Sequence, residues 1–349
     1  MPANRRWKRR PPGSTWGDFG PDDQRGRLNL LTPRKVLQGV AEVKVGKTFC
    51  LSLPLDFPGG NKLNPRRHPP RLQPTVREGQ PNMNFPLQRL DPRWTDVVCD
   101  DAVFMCLQYS TQWDSLAHVG QMFDADGDGK PEMVFYNGYR AGEHIIGPID
   151  YSEGKDTPVN AEPGARALGV ENMATACIQG RAVMIDLWAH YRRERKLVSH
   201  ADLMKVLAKD KVKIEKGDIV CIRTGFDRVL LEMKKNPDLE ALNNACAVLD
   251  GRDERLKQWV TKSGLVALIS DNYAVEASPS RPCEDDHCAW LPLHEHCLFK
   301  LGVNLGELWY LSELADWLRA HKRSRFLMTA PPLRLPGAVG SPATPVATV

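Results

Sequence analysis

The sequence predicts an α/β fold, and three observations carry that reading. Short apolar runs suited to buried strands recur: Val183-Met-Ile-Asp-Leu187, Ile219-Val-Cys-Ile-Arg-Thr-Gly225 and Leu265-Val-Ala-Leu-Ile-Ser270. Helical stretches separate them, notably His200–Leu207 and Asp250–Lys262. Gly turns such as Gly217-Asp218 mark the changes of element. Strands alternating with helices define the class, but they leave strand order open.

The chain has 349 residues, 42% apolar and 26% charged, which is ordinary for a soluble globular protein. A net charge of +4 is too slight to indicate a nucleic-acid partner, and no apolar run approaches a membrane span. Residues 1–13 are basic with no apolar segment after them, so they read as a flexible arm and not as a secretory signal. The nine Cys are odd in number and scattered, a pattern expected of reduced thiols in a cytoplasmic protein.

Taken in order, Ser14–Thr32 is a Gly- and Pro-rich entry loop. Thr32-Pro33 is a good start signal for a helix over Arg34–Val43. Lys47–Leu55 alternates like a strand. Residues 57–95, rich in Pro, Arg and Asn, form a long excursion expected to cover the pocket mouth or meet another subunit. Within it Arg66-Arg67-His68 reads as a solvated basic turn, with contact to an anionic group as the alternative.

Val103–Leu107 is an apolar run with strand character, turning polar at Ser110-Thr111. If the chain stays extended, Gln108, Ser110, Gln112 and Asp114 share one face. A single helical turn at Ser115–His118 then returns His118 over Asp114. Amides, a carboxylate and an imidazole together suit a hard divalent cation beside a general base. The same residues also suit a strand end with a core-packed His.

Asp124–Glu132 imitates the start of a calcium loop, yet position 12 is Phe135, so a polar β-turn is expected. Asn137-Gly138 is a turn signal. Asn172–Cys177 reads as a short helix, and Ser199 as the N-cap of the next one. Pro282–Cys297 holds three Cys and three His without a C-x2-C pair. Leu293–Leu301 has the pattern of a helix closed by Gly302, which argues against a zinc knuckle. From Ala330 onward, residues 330–349 form a Pro- and Gly-rich tail, extended or disordered.

Thr111-Gln-Trp-Asp-Ser-Leu-Ala-His118 resembles the signature of the cyclase-like metal-dependent hydrolases, the group that includes kynurenine formamidase and isatin hydrolase. The usual pattern is H-x-G-T-H-x-D-x-P-x-H. Thr111, Asp114 and His118 match it, whereas Gln108 and Gln112 replace two His and Leu116 replaces Pro. The resemblance spans about residues 14–320 through weaker blocks. These include Tyr136-Asn137-Gly138, Gly180-Arg181 with Asp186, Arg223-Thr224-Gly225, Asp271, Glu276 and Gly306-Glu307.

The resemblance implies a single mixed-sheet α/β domain over residues 14–329, with peripheral helices and assembly as a homodimer or homotetramer. It implies one divalent metal at Gln108, Gln112 and Asp114. Amide ligands favour Mn over Zn. His118 takes the position of the base, and His294 and Glu307 complete the catalytic set, with His296 as the alternative to His294. Trp16, Trp113, Tyr136, Asn137 and Arg223 are the implied substrate contacts; an ion pair within the fold is the other reading of Arg223.

The function implied is hydrolysis of a cyclic amide, imide or lactone, or of an aryl formamide, by metal-activated water. A cyclase or lyase using the same metal and His to abstract a proton is the first alternative. A metal-free binding protein with a decayed site is the second.

Overall fold

The structure, a computed structural model, describes residues 6–151 and 163–349. At its centre is a mixed sheet of nine strands: β1 (Thr48–Cys50), β2 (Gln112–Asp114), β3 (Gln179–Asp186), β4 (Ile219–Arg223), β5 (Ala267–Ser270), β6 (Asn304–Glu307), β7 (Arg325–Thr329), β8 (Gly340–Pro342) and β9 (Val346–Thr348). Their order is β1-β9-β7-β3-β4-β5-β6-β2-β8. β3 to β6 run parallel, and every other pairing is antiparallel.

The tail read as extended or disordered supplies β8 and β9. Only Ala343, Thr344 and Pro345 separate them, although they pair near opposite ends of the strand order. Four Cα steps reach about 15 Å at most, so the sheet must curl until its ends approach. Contacts agree: the Leu51 amide donates to the Pro345 carbonyl and the Ala343 amide to that of Thr111.

The parallel strands are apolar on both faces because both are covered. Ile185, Val220, Ile222 and Leu268 join a core with Leu203, Val206, Leu256 and Val260. The alternate residues Met184, Ile219, Cys221 and Ile269 join another with Leu314 and Leu318. The helix His200–Lys209 begins with a capping box between Ser199 and Asp202. The helix Pro33–Val40 ends three residues short of the expected Val43 and packs on β3. At that contact a Cβ on Gly39 would lie 2.8 Å from the Gly180 carbonyl carbon.

Several local expectations need correction. The strand expected over Lys47–Leu55 is confined to β1, with one further bridge from Ser52 to Trp309. The run at Val103 does not lead into β2: Asp101–Phe104 pairs with Arg71–Pro74 in an exposed ribbon, and turns at Leu107–Ser110 intervene. Cys283 and Cys288 are bonded as a disulfide, so the cysteines are not all free. That pairing and the burial of Cys297 in the core also remove the zinc-knuckle ligand set.

The calcium-loop imitation is a turn between the paired strands Gln121–Phe123 and Glu132–Val134. In it Asp124 accepts from the amides of Gly127, Asp128 and Gly129 and pairs with Arg9. Of the basic arm, residues 1–5 lie outside the described residues. Trp7 packs on Trp16, and Arg10 donates to the Trp16 carbonyl. No helix among the described residues is long and apolar enough to cross a membrane.

Candidate metal and active site

The site lies where the parallel strands end, at the junction of β6 with β2. Register places Glu307 directly across from Gln112, and Leu305 across from Asp114. Alternation then puts Gln112, Asp114 and Glu307 on one face and Trp113 on the other. That opposite face is locked. Trp113 and Trp309 meet edge to face with centroids 5.0 Å apart, and Trp309 Nε1 donates to the Gln112 carbonyl at 2.9 Å. Gly306 permits this, since a Cβ there would stand 2.8 Å from Trp309 Nε1.

On the functional face Gln112 Nε2 bridges two carboxylates, donating to Asp114 Oδ1 at 3.2 Å and Glu307 Oε2 at 3.3 Å. His294 Nε2 meets Glu307 Oε1 at 3.0 Å, and its Nδ1 meets Glu276 Oε1 at 2.9 Å. Glu276 also accepts from the Leu293 and His294 amides, capping the start of the helix that carries His294. Pro292 opens this helix; from Glu295 to Leu301 it is wound as a π-helix, and Gly302 closes it at φ 60°. That stop brings Glu307 back to His294, as the spacing requires.

Electrostatics sort these groups. Burial disfavours a charged His294, but hydrogen bonds and charge from Glu276 and Glu307 win and push its pKa up to about 10. Glu307 is likewise raised by burial, yet the His294 contact holds it below the ordinary value. Asp114 has no such partner. Burial raises it, His118 offsets part of that, and the Glu307 charge raises it further. Three carboxylates around one imidazolium leave an excess of negative charge in a buried place.

The unpartnered atoms mark where that excess could be neutralised. Gln112 Oε1 and Asp114 Oδ2 are both buried without a hydrogen-bond partner. Donor atoms of Asp114, His294 and Glu307 lie within 4.8 Å of one another. Buried orphan oxygens cost about 1–3 kcal/mol each, and a hard cation satisfies them. The residues present therefore fit a divalent ion with mainly oxygen ligands.

His118 follows β2 in a turn closed by its amide on the Ser115 carbonyl. Its side chain is 21% exposed whereas that of Asp114 is 0%, with Nε2 3.8 Å from Asp114 Oδ1. The imidazole thus sits between the buried carboxylate and the outside. Gln108 is displaced from the role expected of it. The turn at residues 107–110 breaks the alternation, and its Nε2 lies 3.5 Å from His118 Nδ1, packed where Gly340 has no side chain. It flanks the base and is not among the clustered donors.

The expected substrate contacts are structural. Trp16 is in the core with Nε1 on the Phe299 carbonyl, and Trp113 is buried with Nε1 on that of Ala330. Tyr136 is buried, and Asn137 Nδ2 ties down the carbonyls of Gly20, Pro21 and Asp23. Arg223 pairs with Asp186 at 3.2 Å and Asp316 at 3.0 Å. Asp271 caps Thr224 and Gly225. His296, the alternative to His294, faces Thr261 and Lys257 instead.

The residues that do border the site come from the excursion and the β5 loop. Arg67 Nη1 donates to the Gln108 carbonyl at 2.6 Å, and its charge acts on Asp114 and Glu307. Arg67 thus turns inward, while Arg66 and His68 of the same basic turn stay exposed. Arg67, Tyr109, Tyr273 and Leu308 line one small recess. Nothing local in the sequence distinguishes Tyr273, although Arg67 stood in a basic triplet.

Comparison with known proteins agrees with this architecture. The cyclase family's sequence pattern matches residues 51–277. A crystal structure of a novel cyclase is 31% identical and has a TM-score of 0.70, covering 98% of this chain and 100% of its own. The chain belongs to the cyclase family. Isatin hydrolase A from Ralstonia solanacearum shares the fold at 16% identity and a TM-score of 0.54, covering 90% of this chain and 97% of its own. Isatin hydrolase A from Labrenzia aggregata, bound to benzyl benzoate, does so at 13% and 0.53, with the same coverage. No curated protein sequence matches the chain.

Proposed function

We propose that this protein is a metal-dependent hydrolase that opens a cyclic amide, imide or lactone, or cleaves an aryl formamide. The observation that carries the reading is the pair of buried, unpartnered oxygens on Gln112 and Asp114, facing a His–Glu pair and flanked by His118. The two isatin hydrolases of like fold act on isatin, as their names state, which supports a cyclic amide as the substrate class.

Asp114 and Gln112 would hold the ion, with Glu307 beside them; oxygen ligands favour Mn over Zn. When bound, such an ion supplies Lewis-acid polarisation of a carbonyl and a lower pKa for water. The chain's own groups do the rest. His118, on the open side of Asp114, accepts the proton of the attacking water. Gln108 restrains the His118 ring. His294 has both nitrogens committed to carboxylates, so its part is to hold Glu307 ionised and oriented, and Glu276 holds His294 in turn. His118, which has taken that proton, is then the group placed to return it to the departing nitrogen or oxygen, while ionised Glu307 orients the site. We further propose a homodimer or homotetramer, supported by the exposure of Leu72, Val103 and Phe104 on the ribbon.

The test uses chelated protein reloaded with Mn and a panel of cyclic amides and aryl formamides, scored by mass spectrometry for uptake of one water. His118→Ala should keep its metal and fold and lose about 10²–10⁴ in rate. A variant as active as the parent, or a parent that retains less than about a tenth of an equivalent of metal after dialysis, overturns the reading.

A further inference from the structure

Gln108 stands where the family pattern has His, yet its amide meets the base instead, with Nε2 3.5 Å from His118 Nδ1. Its backbone is held from the excursion. Arg67 Nη1 donates to the Gln108 carbonyl at 2.6 Å. The hydroxyl of the next residue, Tyr109, accepts from the Gly59 amide at 3.0 Å and donates to the Gly60 carbonyl at 2.8 Å. The side chain lies on Gly340, where a Cβ would stand 2.5 Å from Gln108 Cδ. The amide end itself is uncommitted. Among the described residues neither of its polar atoms has a second hydrogen-bond partner, and the His118 ring makes no other hydrogen bond.

Neutral imidazole carries one N–H, so this contact permits two arrangements. With the proton on Nε2, the ring points its N–H towards Asp114 Oδ1, 3.8 Å away, and Nδ1 accepts from Gln108 Nε2. No lone pair then faces the carboxylate cluster, and the base is idle. With the proton on Nδ1, the ring donates to Gln108 Oε1 once the amide turns over, and the Nε2 lone pair faces the cluster. Turning over exchanges nitrogen for oxygen in the same volume and breaks no other hydrogen bond. A carboxylate at this position would only accept and an ammonium would only donate, whereas an amide serves both forms.

We propose that Gln108 is a positioning residue that sets the tautomer of His118, and that a divalent ion held by Asp114 selects the form with Nε2 free. In the metal-free protein the Asp114 carboxylate attracts the N–H to Nε2. Once that carboxylate is engaged, an N–H aimed at the positive centre is disfavoured. The proton settles on Nδ1, and Gln108 turns its oxygen to receive it. The same oxygen steadies the imidazolium after His118 has taken the proton of water. Gln108's part in catalysis rests on the hydrolase reading, whereas the tautomer it sets does not.

Nitrogen-15 NMR of the full chain with labelled histidine, at alkaline pH, reads the tautomer without turnover. Spectra are taken in chelator and with Mg, a diamagnetic ion that takes oxygen ligands. The His118 signals, assigned by their loss in His118→Ala, should place the proton on Nε2 in chelator and on Nδ1 with Mg. Gln108→Glu, which only accepts, should hold it on Nδ1 in both states, and Gln108→Leu should lose the change. In turnover, Gln108→Leu should lower kcat about 10–100-fold and leave KM within about twofold. A parent with one tautomer in both states overturns the proposal, as does a change that survives Gln108→Leu. An ion-dependent change in a protein that hydrolyses no amide would sink the hydrolase reading and leave the tautomer assignment standing.

Discussion

Asp114→Asn should raise the stability of the metal-free protein and lower that of the metal-loaded one. The substitution keeps the shape and removes a buried charge that His118, His294 and Arg67 offset only in part. Asp114 is fully buried, its Oδ2 lacks a partner, and the ionised Glu307 stands close by. An unsatisfied buried group costs about 1–3 kcal/mol and a charged one more, so exchanging the charge for a neutral amide should gain roughly 2 kcal/mol in chelator. Unfolding entropy near 2.1 cal/mol/K per residue makes about 0.7 kcal/mol/K for a chain this long, and the gain becomes about 3 °C in Tm. Metal reverses the order. At a thousandfold excess over Kd, a bound ion adds about 4.1 kcal/mol to the parent, close to 6 °C, and adds little to the variant. Differential scanning calorimetry with EDTA and then with Mn reads both values. If the variant melts lower than the parent in EDTA, Asp114 is a structural carboxylate. If Mn shifts both proteins equally, the ion binds elsewhere.

Two further outcomes follow from the same geometry. Burial holds His296 at a pKa of about 4, below its ordinary 6.5. The unfolded chain therefore takes its proton first. The stability tied to neutral His296 is fully present above about pH 6.5 and is lost as pH falls towards 4. The loss has a ceiling of about 3 kcal/mol, and urea denaturation of His296→Gln should show a flatter dependence over that window; an unchanged slope refutes it. Gln112→His should shift metal preference from Mn towards Zn, because it replaces an oxygen donor with imidazole nitrogen. Competitive loading measured by elemental analysis reads this, and an unchanged ratio would mean that Gln112 is not a ligand.

Much of the fold was legible where local pattern and burial coincide. β3, β4 and β5 are apolar on both faces, and runs such as Val183–Leu187 and Leu265–Ser270 announce that directly. The helices were legible from caps, as at Ser199 and at Thr32-Pro33. β8 and β9 were not, because Gly-Ser-Pro and Val-Ala-Thr are too short to show a period. Their strand state comes from pairing with β2, β1 and β7, which are distant in sequence. The strand expected at Val103 failed for a similar reason: its partner, Arg71–Pro74, lies in a stretch with no periodicity of its own.

The site divides along the same line. Asp114 and His118 could be placed together because one turn joins them, and Gly302 signalled the reversal that brings Glu307 to His294. Glu276 offered only a resemblance, since its function as the acceptor for His294 depends on a loop after β5 meeting a helix that starts sixteen residues later. Trp16 and Trp113 misled because a tryptophan that lines a cleft and one that fills a core look alike in sequence. The two glutamines are the more instructive case. Read against the family pattern they suggest decay, but Gln112 Nε2 donates to Asp114 and Glu307 at once and still leaves the side-chain Oε1 free. A neutral imidazole has a single N–H and could not do both. The amide therefore keeps two buried carboxylates together while presenting one more oxygen to a cation, which is a reason for glutamine at this position that the sequence pattern alone does not contain.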